Sequence, residues 1–201
     1  MAERPRGRPR SFDRDAALDR AMRTFWERGY EGASVAELTR VMGIGAPSMY
    51  AAFGDKRALF EECVSAYGER YGGFVARALA EEPTAREAVA RALREAAAEY
   101  TAPGRPRGCM IISAAVNYPD AAEDVAERLR VRRAGSVRAF ENRIREDVEA
   151  GRLPAGTDAR GLARFVATVV QGMSQQARDG ADRETLETVA DLALRAWPSA
   201  P

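Results

Sequence analysis

The stretch Ser34–Phe60, SVAELTRVMGIGAPSMYAAFGDKRALF, decides the fold. Ser34 with Glu37 three residues on has the form of a capping box, in which each side chain satisfies an orphan amide at a helix N-terminus. Val35, Leu38, Val41 and Met42 then repeat as one apolar helix face. Gly43 stands where that helix has to stop, because the residue past a helix end commonly adopts positive φ, which glycine tolerates best. Pro47 falls in the first turn of a second short helix, where a missing N–H is no loss. Gly54 and Asp55 announce a third helix start. Two short helices across such a turn form a helix-turn-helix, whose second helix enters the DNA major groove. DNA is the first partner this stretch names.

Outward from it, the pattern stays helical. A first helix is expected over about 13–30, with Ala17, Leu18, Ala21, Met22, Phe25 and Trp26 inward and Gly29 and Gly32 closing it. Beyond Asp55 a single long helix is expected, since Leu59, Phe60, Cys63, Val64, Tyr67, Tyr71, Phe74 and Val75 keep a 3.6-residue period. Thr84–Tyr100 reads as helix, and Pro103, Gly104 and Pro106 break it. A short apolar segment follows from Gly108 to Tyr118. A long charged helix then runs from Pro119 to about Ala150, ended by Gly151 and Pro154. Two more are expected over about 158–178 and 182–197. No alternating strand pattern appears, so the expected class is all-α with about nine helices. Residues 1–11 read as a disordered basic arm, and a domain boundary is placed near residue 60.

Composition excludes several function classes. At 201 residues, 46% hydrophobic and 30% charged, the chain is an ordinary globular protein of one large or two small domains. It has no histidine and two cysteines, Cys63 and Cys109, which rules out His-based acid–base chemistry and zinc sites built on Cys and His. No nucleophile–base pair or phosphate-binding glycine loop is visible, so no catalytic residues, metal site or cofactor are assigned and an enzyme is not expected. No apolar run reaches transmembrane length, and the basic N-terminus lacks the apolar region of a signal peptide, which places the protein in the cytoplasm. The net charge is only +1, but Arg4, Arg6, Arg8 and Arg10 face a single acid in the first ten residues, and 46–52 contains none. Phosphate binding needs a local basic footprint rather than a basic average.

With the motif and the helix order in place, the chain resembles the TetR family of bacterial transcription regulators. The resemblance is close over about 12–62, where Gly43, Tyr50, Phe53, Lys56 and Leu59 stand at the family's spacings. It implies a three-helix DNA-binding domain over 12–60 and a larger effector-binding and dimerisation domain over 61–201. It also implies roles for individual residues. Ser34 would offer a phosphate its hydroxyl or amide, and Gly45, Ala46 and Pro47 would begin the recognition helix. Ser48 and Met49 would lie near base edges, Tyr50 would hold a phosphate through its phenol, and Lys56 would meet another at a helix N-terminus, where the macrodipole favours an anion. Lys56 is the only lysine in the chain, a point charge with rotating donors where every other long cation is a planar fork. Gly45 replaces a frequent Ser or Thr and Ala52 a frequent His. Sequence readout would therefore lean on Ser48, on methyl contacts by Ala46 or Met49, and on DNA shape. The arginine arm could add minor-groove contacts.

The resemblance further implies a homodimer through the last two helices, where Gly161, Ala163, Ala167 and Gly172 are small enough for close helix approach. Two recognition helices one DNA turn apart would then read a palindromic operator. An effector pocket is expected among Tyr67, Tyr71, Phe74, Tyr100, Cys109, Met110, Val116, Asn117, Phe140, Phe165 and Met173. Few fixed charges lie on those faces, which points to a small apolar or aromatic effector. The leading expectation is a ligand-responsive repressor. The alternatives are an activator or a non-regulatory DNA-associated protein of the same fold, and a redox or electrophile sensor through Cys109, whose thiol pKa the nearby Arg105 and Arg107 would lower.

Overall fold

The computed structural model describes residues 12–198 apart from Asn117, so the basic arm expected over 1–11 lies outside the described residues. Ten α-helices are present among the described residues: α1 (Arg14–Gly32), α2 (Val35–Met42), α3 (Ala46–Phe53), α4 (Lys56–Arg70), α5 (Phe74–Glu81), α6 (Ala85–Thr101), α7 (Met110–Ser113), α8 (Glu123–Glu149), α9 (Ala159–Arg178) and α10 (Arg183–Arg195). A short 3-10 turn, Asp120–Ala122, leads into α8. None of these helices is long and apolar enough to cross a membrane.

Helix starts follow the side chains that can cap them. Asp13, Ser34, Asp55, Thr84, Asp158 and Asp182 each accept a backbone N–H of the first turn that follows. Only half of the expected capping box forms at α2. Ser34 Oγ accepts the Glu37 amide at 3.1 Å, while the Glu37 carboxylate turns to Arg28 at 3.0 Å. Gly43 takes the left-handed conformation that ends α2, with its N–H on the Arg40 and Thr39 carbonyls.

The single long helix expected beyond Asp55 is two. Helix α4 stops at Arg70, and Tyr71, Gly72 and Gly73 make a turn before α5. Adjacent glycines remove the side-chain contacts that would carry a helix through, so the apolar period continues across a break. That break swings Phe74 round to meet Tyr100 edge-on at 6.1 Å.

Helices α1–α3 form a small head on top of α4, and α5–α10 pack below as the body, around one continuous apolar core. Trp26, Tyr67 and Tyr71 stack at the junction, with the Trp26 and Tyr67 rings edge-to-face at 4.8 Å. In the body, buried Asp147 on α8 staples the start of α6. Its carboxylate accepts the Ala85 amide at 2.7 Å, Arg143 at 2.6 Å and Arg152 at 2.8 Å, while Arg143 also reaches the Pro83 carbonyl. Burial alone would raise this carboxyl. The Ala85 amide and the two arginines outweigh it and hold the pKa below the ordinary aspartate value.

Asp147→Asn should therefore cost about 2–4 kcal/mol, because it leaves part-buried arginines without their counter-charge. A group with a depressed folded pKa stabilises above its unfolded pKa and loses that effect as pH falls through the folded value. Urea unfolding should thus show the wild-type advantage in full at pH 7 and a shrinking one below about pH 4.

Candidate nucleic-acid interface and effector cavity

The recognition helix α3 divides sharply between two faces. Met49 is fully buried and Phe53 nearly so, with Arg14 lying over the Phe53 ring at 4.3 Å. Met49 is thus not a base-edge residue as the sequence suggested; it anchors the helix in the head. Gly45, Pro47, Tyr50 and Ala51 are exposed, and Ala46 and Ser48 are half-buried. Tyr50 shows half of its surface to solvent, an unusual state for an aromatic ring in a small head. No side chain caps the N-terminus of α3, and Pro47 in its first turn carries no N–H.

Ser34 is exposed at the start of α2, and its hydroxyl hydrogen is still free to donate. Arg40 stands out at the other end of α2 with 72% of its side chain exposed, a cation that the spacing argument passed over. Lys56 opens α4 with its Nζ 4.4 Å above the Tyr30 ring, and burial pulls its pKa down. The head is braced from behind. Arg14 pairs with Glu62 through both nitrogens at 2.5 and 2.7 Å and reaches the Ala52 carbonyl, while Arg20 reaches the Met42 carbonyl.

The head meets the body along α4, through Arg23 on the Gly104 carbonyl at 2.6 Å, and at the kinked end of α1. Helix α1 kinks at Gly29, whose φ of 77° and ψ of 174° suit glycine alone. Past the kink the Tyr30 amide donates to the Ala114 carbonyl at 2.7 Å, and before it the Trp26 indole donates to the Gly108 carbonyl at 3.2 Å. Arg178 of α9 caps the same turn, with its two terminal nitrogens on the Trp26 and Glu27 carbonyls, each at 3.1 Å.

The segment that holds α1 also walls a cavity of about 120 Å³. Side chains from α4 through α9 line it. Of the residues expected there, Tyr67, Phe74, Tyr100, Cys109 and Phe140 do so, together with Val75, Ile111, Ile112, Arg133, Ser136, Ala167, Val170 and Gln171, which sequence reasoning missed. The others lie elsewhere. Met110 and Met173 are core, and Tyr71 packs on Trp26 beneath the Arg105 guanidinium. Val116 is exposed beside an outer cleft, Phe165 points to solvent from α9, and Asn117 is outside the described residues. A wider cleft of about 430 Å³ between α4 and α8 is rimmed by Glu61, Glu127, Arg128 and Arg132, charges of both signs.

Cys109 sits in the cavity wall with the Tyr67 and Tyr100 hydroxyls on its sulfur. Burial pushes its thiol up, against the hydrogen bonds, and both tyrosines are raised by the same burial. Arg105 and Arg107 do not lower it as expected. Arg105 pairs with Glu99 at 2.5 Å, and Arg107 donates to the Ala181 carbonyl.

Residues 17–63 match the model of bacterial regulatory proteins of the tetR family, and residues 83–193 that of the tetracyclin repressor-like C-terminal domain. The HTH-type transcriptional repressor ComR of Escherichia coli (strain K12) is 36% identical over 98% of this chain and 94% of its own. BdcR of the same strain, also an HTH-type transcriptional repressor, is 33% identical over 93% of this chain and 90% of its own. Among solved structures, the TetR family transcriptional regulator CifR complexed with 26 bp double-strand operator DNA is 48% identical, with a TM-score of 0.90 over 95% of this chain and 100% of that one.

Gly29→Ala tests the junction. Its Cβ would sit 3.0 Å from the Ala114 carbonyl oxygen in a backbone region closed to alanine, so a loss of about 2–3 kcal/mol is expected in urea unfolding. Gly32→Ala, whose Cβ meets only Arg28 at 3.4 Å, should leave stability nearly unchanged.

Proposed function

The chain belongs to the TetR family of bacterial regulators, and on that premise we propose that it is a dimeric repressor released from a palindromic operator by a small effector. It is a regulator and not an enzyme. The observation that carries the reading is the double duty of residues 108–114. They hold the kinked end of α1 through Trp26 and Tyr30, and they wall the cavity through Cys109, Ile111 and Ile112. A ligand that displaces this segment has to move α1, and with α1 the recognition helix. DNA and effector affinities would then be coupled reciprocally.

Residues 12–60 would act as the DNA-binding unit and 61–201 as the effector and dimer unit. On the DNA face, Ser34, the open N-terminus of α3 from Gly45 through Pro47, Tyr50 and Lys56 would bind phosphates, with Ser48 and Ala46 nearest the bases and Arg40 as a further cation. Support for a dimer through α9 and α10 comes from their uncovered apolar side chains. Phe165 and Leu192 are exposed, and Leu162, Val169 and Val189 are partly so. DNA binding puts the protein in the cytoplasm.

A second reading has one observation in its favour. Cys109 faces the cavity, so an electrophile or oxidant entering there would meet its sulfur. Operator release by peroxide and by an alkylating agent, compared between wild type and Cys109→Ser, decides it; equal release by both proteins ends this reading.

Lys56→Ala should weaken binding to all DNA sequences alike and reduce the slope of log K against log salt by about 1. Fluorescence anisotropy across a salt series measures this. An altered base preference with an unchanged slope would move Lys56 from phosphate to base contact.

A further inference from the structure

The cavity carries one charge. Among its described lining residues only Arg133 is ionised at neutral pH, with Ser136, Gln171 and Cys109 as further polar groups in an otherwise largely aromatic and aliphatic space. Its Nη1 donates to the Ile111 carbonyl at 2.8 Å, and no carboxylate among the described residues lies within ion-pair distance of it. Burial and the neighbouring charge of Arg130 both press its pKa down, the strain of a cation short of a counter-charge. A half-buried guanidinium without an anion pays desolvation that a bound anion would offset.

Arg133 also joins the cavity to the outside. With Ile112 and Gln171 it borders a second cleft, of about 370 Å³, that opens beside Tyr118 and Arg130. No acid among the described residues lines that cleft or the cavity. Arg130 is already engaged, with Glu127 at 2.7 Å and the Tyr118 hydroxyl at 2.6 Å, which leaves Arg133 as the receiving charge. The field along this route favours an anion, and the walls behind Arg133 favour an apolar body.

We propose that the effector is a small aromatic or alicyclic carboxylate whose anionic head pairs with Arg133 while its ring lies between Phe74, Tyr100 and Phe140. This deepens the effector reading above and rests on it. The cavity, of about 120 Å³, is close to the space that holds one benzene ring, about 150 Å³ in a cavity of known occupancy. A guanidinium fork matches a carboxylate through two parallel hydrogen bonds, so a carboxylate takes the site better than a point anion. Arg133 reaches the Ile111 carbonyl as well, so its capture of a ligand bears directly on the segment that carries α1.

The test titrates the full-length protein with benzoate, phenylacetate and cyclohexanecarboxylate, each against its own amide, by calorimetry. Carboxylates should bind at least about tenfold more tightly than the matched amides, and Arg133→Gln should remove that preference by weakening carboxylate binding far more than amide binding. Arg133→Lys, which keeps the charge without the fork, should retain part of it; amide binding and the thermal midpoint report whether each variant is folded. Equal affinity for acid and amide, an Arg133→Gln variant with undiminished carboxylate binding, or no binding by any carboxylate overturns the proposal. Operator release is read separately. Carboxylates that bind through Arg133 but leave DNA bound would retain the ligand class and overturn the effector reading.

Discussion

The docking of the kinked end of α1 onto residues 108–114 is the contact on which the rest of the molecule depends. Three backbones meet there, α1, the 108–114 segment and α9, and two glycines let them approach. Gly29 adopts a conformation that a side chain resists. At Gly108, with φ +76°, a Cβ would lie 2.7 Å from the Ser174 carbonyl oxygen. The Cys109 amide then donates to Ser174 Oγ at 2.9 Å, locking the segment to α9, while Arg178 of the same helix caps α1. A buried amide or carbonyl without a partner is costly, so this cluster of mutually satisfied backbone groups has few alternative arrangements. It is rigid enough to transmit a displacement and small enough to be displaced.

The head works because its recognition helix is held from within. Met49 and Phe53 bury one side of α3, Arg14 spans α1, α3 and α4, and Arg20 takes the Met42 carbonyl at the end of α2. Arginines serve here as internal clamps on carbonyl and carboxylate oxygens, a role their planar fork suits. That use explains how a chain with 31 basic residues and a net charge of +1 still presents a DNA face. Many of its other arginines are paired with carboxylates at the surface, as Arg28, Arg128 and Arg183 are.

Reading the cavity as a binding site follows from contrast rather than size. The cleft between α4 and α8 is larger, but charges of both signs rim it. The smaller cavity is lined by aromatic and branched side chains and punctuated by one guanidinium, two phenols, one thiol, the Ser136 hydroxyl and the Gln171 amide. A few polar groups in an apolar enclosure give orientation and selectivity together. Burial raises the pKa of both Tyr67 and Tyr100, and their hydroxyls are directed to the Cys109 sulfur.

Local signals were legible in the sequence wherever the cause was local. Caps at Asp13, Ser34, Asp55, Thr84, Asp158 and Asp182 marked helix starts, and Gly43 marked a stop, because these effects act within about one helical turn. The helix-turn-helix and the family spacing of Tyr50, Phe53 and Lys56 belong to the same class of information. The break between α4 and α5 was hidden because the apolar period runs on through Gly72 and Gly73. Met49 read as an outward residue because periodicity does not say which side of a short, apolar helix meets the core. Arg133 and Gln171 were invisible for a stronger reason. Nothing in the charged run of α8 distinguishes Arg133 from its neighbours Arg130 and Arg132. The sequence by itself determined an all-α chain with a DNA-binding head, since helix period, capping and turn chemistry are set by near neighbours. Only the tertiary structure decided where that head is tethered and what lines the cavity, since those depend on six helices from distant parts of the chain packing around one space.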